Sequence, residues 1–262
     1  MAPRSGANSH PYAYRRFGFT VLLLGQVWLH LIQGKTCWHK ISEHSFKTGP
    51  AAMIPVLLSN FMAGIIFTIQ TARQLEPMGA LGSVGGVFAI AFCRELAPIL
   101  TACVIAGQVG SAFAAEIGSM KVSEQIDALY TLRTDPIDYL ILPRVLACGA
   151  TVPISIVLGL VCGIAGGIFV AAQLYQLPPL VFLDSARSFL KTNDLIVLGC
   201  KGVLFGVAIG TIGCGWGMTT YGGVKQVGES ATAAVIVSGI AIFAIDLAIT
   251  LFFGDVPTNK QM

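Results

Sequence analysis

Residues 94–143 read RELAPILTACVIAGQVGSAFAAEIGSMKVSEQIDALYTLRTDPIDYLILP. The run opens on an adjacent ion pair, Arg94 and Glu95, inside an apolar segment, passes through a charged loop of helical character and returns to apolar sequence at residue 139. An ionisable side chain near the centre of a bilayer costs roughly 2.5–3.5 kcal/mol on insertion scales, so Arg94 and Glu95 need a partner or a task there. The composition around them leaves little room for a soluble domain: 55% of the chain is hydrophobic, 11% is charged and the mean hydropathy is +0.76. Soluble domains carry charge at nearer one residue in four. The chain is therefore read as an all-α integral membrane protein.

Working outward, five segments are long and apolar enough to cross a core that takes roughly 20 helical residues: about 51–72, 81–113, 138–172, 195–220 and 231–254. The second and third exceed that length, so they tilt or project beyond the bilayer, and Pro98 and Pro153 are candidate kinks. Before them, Arg16, Thr20, Gln26, His30 and Gln33 share one sector of a helical wheel over residues 15–35, spanning roughly 140°. That pattern, with Trp28, predicts an amphipathic helix in the membrane interface, a spanning helix being the alternative. Residues 1–14 form a polar tail with Pro3 and Pro11, residues 15–254 a single domain, and residues 255–262 a C-terminal tail.

Basic residues orient the spans. With the N-terminus inside, the cytosolic parts hold Arg4, Arg15, Arg16, Lys35, Lys40, Lys47, Lys121, Arg133, Arg144 and Lys225, and the opposite side holds Arg73, Arg187, Lys191 and Lys260. This imbalance places the 113–138 loop in the cytosol and 173–194 across the membrane. The small net charge of +3, with basic residues scattered through loops, gives no reason to expect nucleic acid.

Four ionisable residues fall inside the predicted spans: Arg94, Glu95, Lys201 and Asp246. Their charges sum to zero, the condition for mutual pairing in a low-dielectric bundle. The network either locks the bundle or takes part in transport, and Lys201, placed near a predicted helix end, has the alternative of snorkelling. Small residues repeat at i, i+4, i+8 in Gly159, Gly163 and Gly167 and again in Gly202, Gly206 and Gly210. Such stripes let helix backbones approach closely, within one subunit or across a dimer seam.

In the loop, Val122, Ile126, Leu129 and Tyr130 recur at helical spacing while Lys121, Glu124, Gln125 and Asp127 face elsewhere. The apolar edge docks on a partner or folds back on the bundle. Asp135 can cap the following helix, with Pro136 at its first position and Asp138 near its third.

Enzymatic chemistry finds little footing. All four histidines, His10, His30, His39 and His44, precede residue 50, and seven cysteines, Cys37, Cys93, Cys103, Cys148, Cys162, Cys200 and Cys214, show no CxxC spacing. No metal, cofactor or catalytic residue is expected, and the thiols are read as buried and unpaired. Gly34-Lys35-Thr36 mimics the end of a phosphate-binding loop, but Leu29 stands where the first glycine belongs and no strand precedes it. ATP hydrolysis, if it drives this chain, belongs to another polypeptide.

The run Arg94–Pro98 (RELAP), the segment 106–129 with 135–144 (DPIDYLILPR), and 216–232 (WGMTTYGGVKQVGESAT) together resemble the MlaE-type permeases. These are membrane subunits of ABC systems that move phospholipids between membranes. The third block is most similar to the cyanobacterial and chloroplast branch, and the resemblance covers roughly residues 15–254. It implies an interfacial N-terminal helix, five spans, a homodimer, a cytosolic ABC ATPase subunit, an MCE-domain lipid-binding protein on the far side and a phospholipid substrate. It also implies an ATPase-coupling element around Glu116, Gly118, Met120, Lys121, Glu124, Gln125, Asp127 and Leu129, and intramembrane charge at Arg94, Glu95, Lys201 and Asp246. Gln108 departs from the family where arginine is common, and Ala97 where glycine or serine is frequent. No Ser/Arg-rich transit peptide is evident, which favours a cyanobacterial or other bacterial inner (plasma) membrane over a nuclear-encoded plastid precursor, the chloroplast inner envelope being the alternative. The readings from other classes are a self-contained ion or solute carrier relaying through the four charges, against which stands the lack of an internal repeat, and a membrane-bound lipid-modifying enzyme.

Overall fold

The computed structural model describes residues 38–253, with side-chain surroundings from 52 to 252, and seven positions ahead of them: 16, 18, 20, 22, 23, 25 and 26. Every regular element among the described residues is helical. Five helical runs have the length and apolarity to cross a membrane: Ala52–Met78, Leu81–Val122, Ile137–Tyr175, Thr192–Met218 and Val224–Phe252. They are called spans 1 to 5 below. Successive spans run in opposite directions, so the 123–136 and 219–223 connections lie at one end of the bundle and the 176–191 connection at the other.

Span 3 is the centre of the assembly, and glycine puts it there. A Cβ on Gly64 of span 1 would run into the carbonyl of Gly163, and one on Gly163 into the ring of Phe92. Gly159 faces the Asn60 amide, and Gly167 the Thr68 hydroxyl. On the other side, a Cβ at Gly202, Gly206 or Gly210 of span 4 would meet Pro153, Cys148 or Val145 of span 3. Both glycine stripes thus face neighbours within the chain, where close backbone approach replaces the hydrophobic driving force that lipid cannot supply.

Aromatic packing fixes the far end. The rings of Phe88 and Phe92 stack with centroids 4.9 Å apart, and Phe182 tilts against Phe88 at 5.6 Å. Phe182 belongs to a short helix, Pro179–Phe189, in the connection between spans 3 and 4. Close contact of Gly85 with the Phe182 carbonyl, and a hydrogen bond from the Gly86 N–H to the Ser185 hydroxyl at 3.0 Å, hold this helix on the start of span 2.

The two long spans are not uniformly α-helical. Span 2 contains π-helical turns at Phe92–Leu96 and Ala106–Gly110, and span 3 begins with a third at Ile137–Ile141. Pro98 lies in the regular helix immediately after the first of these. Pro153 is accommodated inside the continuous helix Leu142–Tyr175.

Of the N-terminal amphipathic helix expected over 15–35, the seven described positions are helical. Thr20 and Leu23 are buried, and Thr20 lies against Gly215. The Arg16 guanidinium sits 5.3 Å from the Trp216 ring centroid and donates to the Ser230 hydroxyl at 3.4 Å. Polar residues expected to face the interface thus reach spans 4 and 5. Trp28, His30 and Gln33 lie outside the described residues, as do the 1–14 and 255–262 tails.

Candidate functional site: a buried charge cluster and a charged helical end

The first feature grows from a missing hydrogen bond. In an α-helix the carbonyl of residue 94 is paired by the N–H of residue 98, and here residue 98 is a proline with no N–H to give. The carbonyl of Arg94 instead accepts a hydrogen bond from Lys201 Nζ at 2.8 Å. Lys201 Nζ also lies 2.7 Å from Asp246 Oδ1, 3.2 Å from Glu95 Oε2 and 3.4 Å from the Thr250 hydroxyl. Thr250 in turn donates to Glu95 Oε1 at 3.1 Å. Lysine brings three N–H donors and no acceptor, so spans 2, 4 and 5 converge on one saturated ammonium.

Its burial revises the snorkelling alternative. The Lys201 side chain is 2% exposed, and span 4 starts at Thr192, nine residues earlier, so Lys201 lies about 14 Å along the helix rather than at its end. Arg94 also behaves differently from a four-member network. Its guanidinium pairs with Asp194, both Nε and Nη2 lying 2.8 Å from Oδ1. Asp194 was expected in the far-side loop, but it occupies the first turn of span 4, where its other oxygen accepts the Lys191 N–H at 2.9 Å. With Asp194 included, three carboxylates face two cations, so the charges no longer sum to zero. The surplus opens outward, because the Glu95 side chain is 41% exposed on the bundle flank.

The second feature lies at the end carrying the 123–136 connection. Span 2 runs on as Ser111–Val122, turns at Glu124, which adopts the left-handed conformation with φ 60°, and continues as the short helix Gln125–Thr131. Lys121 Nζ closes the turn on Asp127 Oδ1 at 2.9 Å. The apolar edge divides: Ile126 is buried against the bundle, Val122 and Leu129 are half-buried, and Tyr130 is exposed. Leu132, not singled out by helical spacing, is 72% exposed beside it. Gly118 is packed against the Thr220 hydroxyl, Met120 is half-buried, and Glu124 and Gln125 face outward. Asp135 Oδ1 accepts the Ile137 N–H at 2.9 Å, opening span 3.

Glu116 has an inward partner that the sequence did not reveal. Its Oε2 lies 3.0 Å from Nη2 of Arg144, whose side chain is 3% exposed. Arg144 had served only as a topology marker for the cytosolic side. Its Nη1 donates to the Leu140 carbonyl at 2.8 Å and its guanidinium stands 5.8 Å from the Phe113 ring centroid.

A polytopic helical bundle, with buried ion pairs between its spans and a charged, partly apolar helix at one end, has the build of an integral membrane protein whose spans are tied together by charge. The chain belongs to the Permease MlaE family, whose model matches residues 41–252. It is 48% identical over 243 residues to a probable ABC transporter permease protein of Synechocystis sp., covering 93% of this chain and 92% of that relative. It is 41% identical over 244 residues to the chloroplastic Protein TRIGALACTOSYLDIACYLGLYCEROL 1 of Arabidopsis thaliana, covering 93% and 70%. A probable ABC transporter permease protein of Pyropia yezoensis is 39% identical over 238 residues, covering 91% and 90%.

Proposed function

We propose that this chain is the membrane subunit of an ABC transporter that moves glycerophospholipids between membranes, with ATP hydrolysed by a separate ATPase subunit. The observation that carries the reading is the exposed Glu124, Gln125, Tyr130 and Leu132 on and beside the short helix Gln125–Thr131, which follows span 2 after the turn at Glu124, in a chain without a phosphate-binding loop of its own. The names of its relatives support the ABC assignment, and the galactosylated diacylglycerol in the name of the Arabidopsis relative supports a lipid substrate, without specifying a phosphate headgroup. Two copies form the working unit, and an MCE-domain lipid-binding protein receives or delivers lipid at the Pro179–Phe189 end. The membrane is the inner membrane of a bacterium, or the inner envelope if the chain works in a chloroplast.

In this reading, ATP closes the ATPase pair at the 123–136 end. The helix around Glu116 to Leu129 carries that motion into span 2, and a cavity between spans 1, 2 and 5 of the two copies opens or collapses around the lipid. The lipid must contact the two cavity shapes differently for the cycle to do work. Leu, Ile and Phe side chains supply the contacts to the acyl tails. The test is purification of the tagged chain from its native membrane, with mass spectrometry of co-purifying proteins and lipids. An ATPase subunit, an MCE-domain protein and stoichiometric phospholipid are expected; recovery of the chain with no ATPase refutes the assignment.

A further inference from the structure

We propose that Arg144 is the positioning residue of the partner-facing end, holding Glu116 so that movement of the 116–132 segment is passed into span 3 as well as span 2. The proposal rests on the transport reading and adds the route by which the end of the bundle drives its centre.

Arg144 has the surroundings of a latch. One nitrogen holds the Glu116 carboxylate of span 2, another holds the Leu140 carbonyl of its own span, and the Phe113 ring, one turn before Glu116, lies 5.8 Å from the guanidinium. Removing one member of a buried ion pair leaves the other charge uncompensated, so such a contact resists opening. The pair is lopsided. Arg144 is enclosed, while the Glu116 side chain is 56% exposed, so a partner pressing on this end meets a carboxylate anchored from behind.

The carbonyl that Arg144 holds belongs to the π-helical turn Ile137–Ile141. The other buried cation, Lys201, likewise holds a carbonyl, that of Arg94, in the π-helical turn Phe92–Leu96. Turns of this kind are irregular points in a helix, frequent at functional sites. Each is clamped by a cation that also grips a carboxylate of span 2, Glu116 or Glu95. These carboxylates stand 21 residues apart, about 32 Å along the helix. Span 2 is therefore pegged at both its partner-facing end and its charge cluster.

The test uses the full chain in lipid nanodiscs with its ATPase and compares Glu116→Gln, Arg144→Gln, Arg144→Lys and the double variant Glu116→Gln/Arg144→Gln. The readout is lipid moved per ATP hydrolysed by the assembled complex, not yield. Each glutamine variant is expected to lower that ratio about tenfold, the double to match the worse single, and Arg144→Lys to recover part of it. In parallel, amide hydrogen exchange of the chain alone is expected to accelerate about tenfold across Ser111–Val122 and Ile137–Ile141 in Arg144→Gln. A purely structural Arg144 lowers thermal stability while leaving lipid per ATP unchanged in the folded fraction, which overturns the proposal, as do additive effects in the double variant. Should the wild-type complex move no lipid, the transport reading fails on its own. The exchange arm then decides the latch, and unchanged protection in Arg144→Gln refutes it.

Discussion

Lys201 fills the hydrogen-bonding vacancy that Pro98 creates, because the Arg94 carbonyl that a residue-98 N–H would have paired accepts instead from the lysine ammonium at 2.8 Å. A helix breaker in span 2 is thereby matched with a buried cation in span 4. The charges of Glu95 and Asp246 complete the arrangement.

Breaking the cluster from its centre is the harshest test. Lys201→Met leaves two carboxylates without their cation and one carbonyl without its donor, at an expected loss of about 3–5 kcal/mol. Adding Glu95→Gln and Asp246→Asn to the same chain removes the stranded charges and is expected to restore much of the thermal midpoint in detergent. A triple variant no more stable than Lys201→Met contradicts the mutual-pairing account.

Thr250 contributes through its hydroxyl. Thr250→Val keeps the shape and drops the bonds to Glu95 and Lys201, for an expected cost of about 1 kcal/mol, while Thr250→Ser keeps both. Thermal unfolding of the two side by side separates them, and equal midpoints would show that the hydroxyl is idle.

Glycine at closely packed and open sites is expected to respond with opposite signs. Gly163→Ala drives a methyl into the Phe92 ring and is expected to lose about 1–3 kcal/mol, as overpacked cores do. Gly199→Ala, where nothing lies within 4 Å, is expected to gain about 0.5–1 kcal/mol from helix propensity. Urea or thermal melts of both variants check the contrast.

At the partner-facing end, Leu132→Asp and Glu124→Lys alter groups that face outward and leave the bundle's own contacts intact. Both are expected to fold like the parent and to lose at least half of the co-purifying ATPase. Undiminished recovery places the docking surface elsewhere.

The spans and the intramembrane charges were legible in the sequence for one reason: an ionisable residue stands out against apolar neighbours, and Arg94, Glu95, Lys201 and Asp246 all do. Asp194 was missed because it lies in the first turn of span 4, where hydropathy places it in the adjoining loop. Arg144 and Glu116 were missed as a pair because each looks solvated in a charged, loop-like stretch, and only the fold shows that one is enclosed and the other half open. The π-helical turns leave no trace in an apolar run, whose residues are hydrophobic at any period. Pro98 offered the one usable hint, since a proline in a span announces an orphaned carbonyl four residues earlier.

The glycine contacts also determine which parts of the bundle are free to shift. Span 3 is seated against span 1 through Gly64 and Gly163, and against span 4 through Gly202, Gly206 and Gly210, at separations where main chain meets main chain or proline ring. Sliding any of these helices by a fraction of a turn would bring a larger residue into a slot shaped for glycine. Spans 1, 3 and 4 therefore form one closely seated slab, span 2 is joined to it where Gly213 meets Gly110 and Gly217 meets Ala114, and the room to shift is greatest in span 5, whose Gly228 and Gly239 meet nothing within 4 Å.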